Sequence, residues 1–323
     1  MKVLVTGANG FLAGSIIRIL ISRGYDVRGM LRKNSGQTSL KGISFEKFTG
    51  EITNIHDVYK AVTGCDIIIH AAADTSHFEG NNSNQRQVNV DATRYMLNAA
   101  VEQHVKKFIF VSTANTIGHG SAKIPGTENN AITGSFLRSG YVSSKYEAEK
   151  IVLKNVTEKG LDAVIVHPSF MIGPYDSKPG SNRILLMYRH KKRILITGGG
   201  KSFIHVRDAA TAICNAIENG RKGECYLLTN ENLTFKEFFL LVSAVTGEKQ
   251  KQIVIPDLPV LMGGAIYTLL NHLGIRKQFN LTSARMLCSR LYYDSSKAEK
   301  ELRLPNTPIK EAIAEALEWS DKV

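Results

Sequence analysis

The apolar positions of this chain fall into short unbroken runs separated by longer amphipathic stretches. Residues 2–6 form a β-branched run that stops at Gly7, and apolar character resumes near Phe11 in a stretch, 15–23, that reads as a helix closed by Gly24. Residues 26–31 predict a second strand, 43–48 a short alternating one, and 54–62 a helix capped by Asn54. The run 66–70, Asp-Ile-Ile-Ile-His, has the composition of a strand covered on both faces. A helix over 89–104, a strand over 107–111, a helix from Tyr141 to about 159 and a strand over 161–167 continue the alternation. Beyond these, one strand is expected over 224–228, and helices from about Ile204 to 219 and over 234–245, 258–275, 282–288, 295–302 and 309–319. Strands alternating with helices predict an α/β fold, a doubly wound parallel sheet whose ligands bind outside the carboxyl ends of its strands. The C-terminal remainder is expected to be smaller and mostly helical.

Candidate chemistry collects at those carboxyl ends. Gly7 and Gly10 let the backbone turn sharply and approach a pyrophosphate, whose charge can sit on the N–H groups of the helix that begins near Phe11 and Leu12, and Ala13 is the third small position. An acid at the end of the second strand would bind the ribose 2′-hydroxyl of NAD, whereas an arginine suits the 2′-phosphate of NADP. The strand ends on Arg32, with Asp26 at its start, so NADP(H) is preferred and NAD(H) is the alternative. Ala71, Ala72 and Ala73 leave room for a flat ligand, and the strand over 107–111 delivers Ser112 and Thr113 to the same edge. Residues 118–140, rich in Gly, Ser, Asn and Thr, read as a loop near the site, and 173–180 as a loop leaving the sheet. Tyr141 and Lys145, four apart, share one helical face. A lysine ammonium beside a tyrosine favours the phenolate and lowers its pKa from ~10, which suits acid-base work.

Composition narrows the alternatives. A chain of 323 residues, 43% hydrophobic and 22% charged, is ordinary globular material for one large domain or two smaller ones. Cys65, Cys214, Cys225 and Cys288 show no short paired spacing, so neither a zinc site nor a disulfide framework is expected, and a reduced cytoplasm is the natural compartment. The histidines match no metal-binding pattern. The first strand comes too early for a signal peptide, so the acceptor motifs at Asn81, Asn155, Asn232 and Asn280 carry no weight. The net charge is +12, densest at Arg189-His190-Lys191-Lys192-Arg193. No aromatic-interleaved basic motif accompanies that run, so a solvated helix end is preferred over a nucleic-acid surface, and the charge can serve to attract an anionic cofactor. Residues 258–275 carry no charge, but Pro259, Gly263, Gly264, Thr268, Asn271 and His272 argue against a membrane span. A buried helix is expected there, with shallow membrane contact as the second choice. Gly200-Lys201-Ser202 has the ending of a P-loop, but Leu195 stands where that motif needs glycine.

In order along the chain, Gly7-x-x-Gly10-x-x-Ala13, Glu51-Ile52, His70-Ala71-Ala72-Ala73, Asn89-Val90, Thr113 and Tyr141-x-x-x-Lys145 resemble the extended short-chain dehydrogenase/reductase family of the NAD-dependent epimerase/dehydratase superfamily, over nearly the whole length. Residues 27–32 (Val-Arg-Gly-Met-Leu-Arg), 167–174 (His-Pro-Ser-Phe-Met-Ile-Gly-Pro) and 292–298 (Tyr-Tyr-Asp-Ser-Ser-Lys-Ala) are similar to its dihydroflavonol-4-reductase-like branch. Ala13, His167 and Thr113 depart from the commoner glycine, arginine or asparagine, and serine. The resemblance implies a Rossmann domain over 1–170, joined by about 203–228, and a substrate-binding region over 171–202 plus 229–323. It implies cofactor contacts from Gly7, Gly10, Phe11, Leu12, Arg32, Glu51, Ile52, Ala71, Ala72, Ala73, Asn89, Pro168 and Ser169, with Tyr141 and Lys145 shared between cofactor and chemistry. In that scheme Lys145 binds the nicotinamide ribose, Thr113 hydrogen-bonds the substrate oxygen, and Tyr141 gives a proton to a carbonyl that receives hydride. The uncharged 258–275 stretch hints at an apolar carbonyl substrate. The resemblance also implies a homodimer through the helices that start at Asn89 and carry Tyr141. A nucleotide-sugar epimerase is the second reading, weakened by Ile117 before Gly118 where epimerases often have tyrosine. A dehydratase is disfavoured by Ala114-Asn115 in place of Asp-Glu, and a non-catalytic regulator comes third.

Overall fold

Each apolar run that ends on turn residues becomes a strand, and the strands of the first half share one direction. In chain order these residues form β1 (Lys2–Thr6), α1 (Phe11–Ser22), β2 (Asp26–Leu31), β3 (Glu46–Thr49), α2 (Ile55–Val62), β4 (Ile67–His70), α3 (Ser83–Arg86), α4 (Ala92–Glu102), β5 (Lys107–Val111), α5 (Gly140–Lys159) and β6 (Ala163–Pro168). There follow β7 (Phe170–Ile172), α6 (Arg183–Tyr188), β8 (Arg193–Ile196), β9 (Gly200–His205), α7 (Val206–Asn219), β10 (Cys225–Leu228), β11 (Glu231–Thr234), α8 (Phe235–Thr246), β12 (Lys251–Val254), α9 (Asp257–His272), α10 (Leu281–Cys288), β13 (Arg290–Leu291), α11 (Ser296–Leu302) and α12 (Ile309–Asp321). This computed structural model describes all residues except 76–82, 133, 178–179, 273–278 and 323, so Asn81, Lys178, Pro179 and the 273–275 end of the uncharged stretch lie outside the described residues.

Seven strands form a sheet in the order β10-β6-β5-β4-β1-β2-β3, every neighbouring pair parallel. This is a Rossmann-like α/β arrangement. Because side chains alternate across a strand, Val3, Val5, Ile67, Ile69 and Ile109 face α1 and α7, while Leu4, Ile68, Phe108 and Phe110 face α2, α4 and α5. Both faces are covered, which is why β4, β5 and β6 are buried at every position. α7 packs in the cluster that holds α1, and β10 completes the sheet beside β6.

Several boundaries differ from the sequence expectation. β3 starts three residues late, on the exposed edge of the sheet. Ile204 and His205 end β9, and the helix starts at Val206 because the His205 side chain accepts the Arg207 N–H. The C-terminal region holds two small sheets besides its helices, β11-β9-β13 with β7 on β9, and a β8-β12 pair. Apart from β9, these strands have two to four residues and are only partly buried, which leaves too little alternation to be read. α9 forms as a helix but is not buried. Gly264 lies close enough to α10 that a Cβ there would meet Ala284 Cβ at 2.6 Å, while Leu258, Met262, Ile266 and Leu269 are exposed. No helix among the described residues is long and apolar enough to cross a membrane.

The turn after β1 shows how closely β1 and β4 meet. Gly7 has φ +67°, and a Cβ there would lie 2.9 Å from the Ala72 Cα. Gly7→Ala is expected to lower stability by about 1–3 kcal/mol through left-handed strain and this clash. A urea titration checks it, and an unchanged midpoint would contradict the close approach.

Candidate active site

The chain leaves β1 for β2 and β3, then returns on the other side of β1 as β4, so the crevice between the carboxyl ends of β1 and β4 is the topological switch point. Gly10 caps α1 with no side-chain hydrogen bond, and the first turn carries no acid, which leaves the helix N-terminus free to receive an anion. The turn is held by Gly10 N–H on Gly7 O at 2.8 Å and by Ser39 Oγ on Asn9 O at 3.0 Å. Arg32, past the end of β2, is exposed and makes no ion pair among the described residues, whereas Asp26 at the other end is engaged with Lys2 Nζ at 3.5 Å. Ser35 Oγ near Arg32 and Ser169 Oγ after Pro168 are buried without hydrogen-bond partners among the described residues. Glu51 and Ile52 follow β3, with the Glu51 N–H donating to Asp57 Oδ2 at 2.9 Å. A glycine cradle, an open helix end, a free cation and two unsatisfied hydroxyls fit an NAD(P) dinucleotide.

A buried imidazole sets the floor of that crevice. His70 Nδ1 lies 2.9 Å from Thr6 Oγ1, and Nε2 lies 3.1 Å from Thr93 Oγ1. Thr93 directs its one hydroxyl proton to Asn89 O at 2.8 Å, so it accepts from Nε2–H, and Nδ1 is left to accept from Thr6. Thr6 Oγ1 in turn accepts the N–H groups of Ala71 and Ala72, both at 3.1 Å. Burial, aided by the Lys145 charge, pushes the His70 pKa down to about 3, so the ring is neutral. Asn89 braces the segment after β4. Its Oδ1 accepts the Asp74 N–H at 2.8 Å, and Nδ2 donates to Asp74 O at 3.0 Å and to Ser144 Oγ at 2.9 Å.

The next strand over brings Thr113, Tyr141 and Lys145 together. Thr113 follows β5 and hydrogen-bonds the Tyr141 hydroxyl from the first turn of α5. Burial pushes the phenol up to about 12, against the lowering effect of the Thr113 bond, and the Glu149 charge adds to the rise. One turn on, Lys145 is 1% exposed, donates from Nζ to Val111 O at 2.6 Å and lies 4.0 Å from the centre of the Phe110 ring. Burial pushes it down to about 7, with Glu149 opposing. The expectation that Lys145 lowers the Tyr141 pKa is therefore corrected. Desolvation dominates both groups, and the ammonium is turned to a backbone carbonyl.

Two further groups escaped the sequence analysis. Glu149, one turn beyond Lys145, is buried, and its Oε1 meets the Ser112 hydroxyl, the Thr116 hydroxyl at 2.6 Å and His167 Nε2 at 3.1 Å. Burial alone would raise its pKa, but His167 and the hydroxyls together hold it below the usual carboxylate range. The spacing of 141, 145 and 149 on one helical face was the available signal. Lys201 sits on β9 rather than in a phosphate loop. Its Nζ lies 4.5 Å from the centre of the Phe170 ring, and burial pushes it down to about 8.

The buried lysine makes stability depend on pH. Between its folded value of about 7 and its unfolded value near 10.5, the unfolded chain binds a proton that the folded chain lacks, so stability rises with pH in that window. Below pH 7 both states are protonated and the full penalty remains. Lys145→Met should be more stable than the parent at pH 7, with the difference shrinking towards pH 10 by at most about 4 kcal/mol. Thermal melts at both pH values test this, and a pH-independent difference would contradict it.

A family model described as NAD dependent epimerase/dehydratase family matches residues 3–228. A Synechocystis sp. protein provisionally named dihydroflavonol 4-reductase is 30% identical over 98% of this chain and 93% of its own length. Sterol demethylase protein B of Methylococcus capsulatus is 30% identical over 99% of this chain and 98% of its own. The crystal structure of UDP-glucose 4-epimerase from Thermotoga maritima shares the fold, with a TM-score of 0.81 at 20% identity, covering 100% of this chain and 99% of that one.

Proposed function

We propose, for a chain that belongs to the NAD-dependent epimerase/dehydratase family of extended short-chain dehydrogenases/reductases, that it is an NADP(H)-dependent reductase of ketones or aldehydes. The family implies an NAD(P) cofactor. The observation that carries the reductase reading is the hydrogen bond between the Tyr141 phenol and Thr113, with Lys145 one turn on along the same helix. A carbonyl that accepts hydride becomes an alcohol only if its oxygen gains a proton, and a group with a raised pKa still carries one at neutral pH.

Gly7, Gly10, Phe11 and Leu12 would hold the pyrophosphate, Arg32 the 2′-phosphate, Glu51 and Ile52 the adenine end, and Ala71, Ala72 and Ala73 the flat face of the ligand. Pro168 and Ser169 would meet the nicotinamide end. When bound, the reduced dinucleotide supplies the hydride. Thr113 orients the carbonyl oxygen and Tyr141 donates to it. Lys145 would hold the ribose hydroxyls, and Asn89 would act by bracing the segment after β4. The substrate would lie between this edge and the region formed by 171–202 and 229–323. An apolar carbonyl compound suits it, since one close relative is named for sterol demethylation.

The proposed compartment is the cytoplasm, which suits four free cysteines. The homodimer through α4 and α5 is proposed on resemblance. Neither helix carries a large exposed hydrophobic side chain, so such a bundle would use half-buried residues such as Tyr95 and Ile151.

Tyr141→Phe should retain NADPH binding and lose at least ~10²-fold in turnover, since the ring is kept and the proton is not. A panel of ketones and aldehydes read by NADPH absorbance tests this. Nucleotide sugars isomerised at constant absorbance, with no carbonyl reduced, would replace the reductase by the epimerase. Arg32→Asp should weaken NADPH binding more than NADH binding, as titration of both reduced cofactors would report. Tighter NADH binding by the parent protein would overturn the NADP(H) preference.

A further inference from the structure

Of the fifteen large hydrophobic side chains exposed among the described residues, twelve lie between Leu186 and Leu287. Four of these form a stripe on α9, where Leu258, Met262, Ile266 and Leu269 are 68%, 57%, 56% and 61% exposed. At 100° per residue they fall within one narrow arc of the helix. The opposite side is the packed one. Gly264 sits against α10, and the Thr268 hydroxyl accepts the Leu281 N–H at 2.9 Å. A helix lying on a protein surface turns polar groups outwards, yet α9 carries no charged residue after Asp257.

The β8-β12 pair leads directly into this helix. Arg193 pairs with Lys251 and Leu195 with Ile253, all four exposed, while Ile194 and Ile196 between them are buried. One outer face therefore carries two cations side by side and, next along, two apolar side chains. Like charges placed opposite one another repel. Lys191 and Lys192 precede them, also exposed, and none of these four cations makes an ion pair among the described residues. The nearby acids are Glu248, paired with His190, Asp321, paired with Arg189, and Asp257 at the start of α9.

We propose that this face, the β8-β12 pair together with α9, docks on an anionic lipid surface. The apolar stripe would enter the acyl boundary, and Lys191, Lys192, Arg193 and Lys251 would meet the headgroups. Among the described residues no helix is long and apolar enough to cross a membrane, so the proposed contact is peripheral. A second copy of the chain fits less well, because a self-complementary interface would bring the unpaired cations of both copies together. The docking stands independently of the reductase reading.

The test is flotation of the full chain with phosphatidylcholine vesicles, with and without about 30% phosphatidylglycerol, with NADPH fluorescence as the folding control. Binding is expected to the anionic vesicles and to weaken in high salt. Leu258→Ser/Met262→Ser/Leu269→Ser should lower it at least ten-fold. Lys192→Gln and Lys251→Gln should each lower it about five-fold, and NADPH affinity should be unchanged in all. If the apolar variant loses NADPH binding, the two charge variants decide alone. Absence of binding to the anionic vesicles, or binding unaltered in the charge variants, would overturn the proposal. So would a dimer, seen by light scattering, that the apolar variant dissociates, since that assigns the face to a second copy.

Discussion

Glu149 is a carboxylate withdrawn from water where α5, β5 and β6 meet, and the candidate site depends on how its charge is satisfied. Ser112 belongs to the end of β5, Thr116 to the turn that follows it, and His167 to β6, and all three converge on one carboxylate oxygen. An ionised carboxylate in such a place is tolerated only when hydrogen bonds replace its hydration. The three elements are thereby locked in one arrangement before any ligand arrives. Thr113 follows directly from Ser112, and Lys145 and Tyr141 sit one and two turns below Glu149 on α5. The relative placement of Thr113, Tyr141 and Lys145 thus rests on a residue outside that group of three.

The same device recurs one strand away with a neutral group. His70, held between Thr6 and Thr93, ties β1 and β4 to α4 and places the Ala71 and Ala72 amides. Each buried polar atom of that chain has a partner, so the crevice floor is rigid without a charge in it. Lys145 stands between the two networks. Its charge lowers the His70 pKa and is itself supported by Glu149. A ligand that brought negative charge or hydroxyl acceptors to Lys145 would relieve the desolvation that now holds it near neutrality.

The two halves of the molecule bury their apolar surface differently. In the large sheet every strand from β4 to β6 is covered on both faces, so the carboxyl edge is the open place for a ligand. In the C-terminal region the core is a compact cluster in which Phe203 stacks on Phe238 at 4.5 Å, joined by Ile194, Ile196, Ile309 and Ile313. That core uses α8 and α12 but leaves the outer side of α9 without cover. The apolar surface left over is concentrated in one region of the chain rather than scattered, which distinguishes it from ordinary exposed leucines.

Much of the sheet was legible because a buried parallel strand and a βα turn leave local marks. The run 67–70, the glycines at 7 and 10 and the β-branched start at Val3 each answer to constraints acting within a few residues. Tyr141 and Lys145 were legible for the same reason, since helical periodicity alone places them together. The charge states of those two residues were not, because they depend on how much of the surrounding sheet excludes water. Glu149 and His70 look like ordinary polar residues until the hydroxyls of Ser112, Thr116, Thr6 and Thr93 are brought to them from up to 64 positions away. The uncharged stretch after Asp257 suggested a buried helix, and only the packing of α10 against one side decided that its other side faces outwards. Local sequence determined which segments turn, extend or coil, through backbone sterics and side-chain period. Burial, and with it every shifted proton and every exposed apolar face, was decided by contacts distant in the chain, because desolvation is a property of the assembled neighbours and not of the residue.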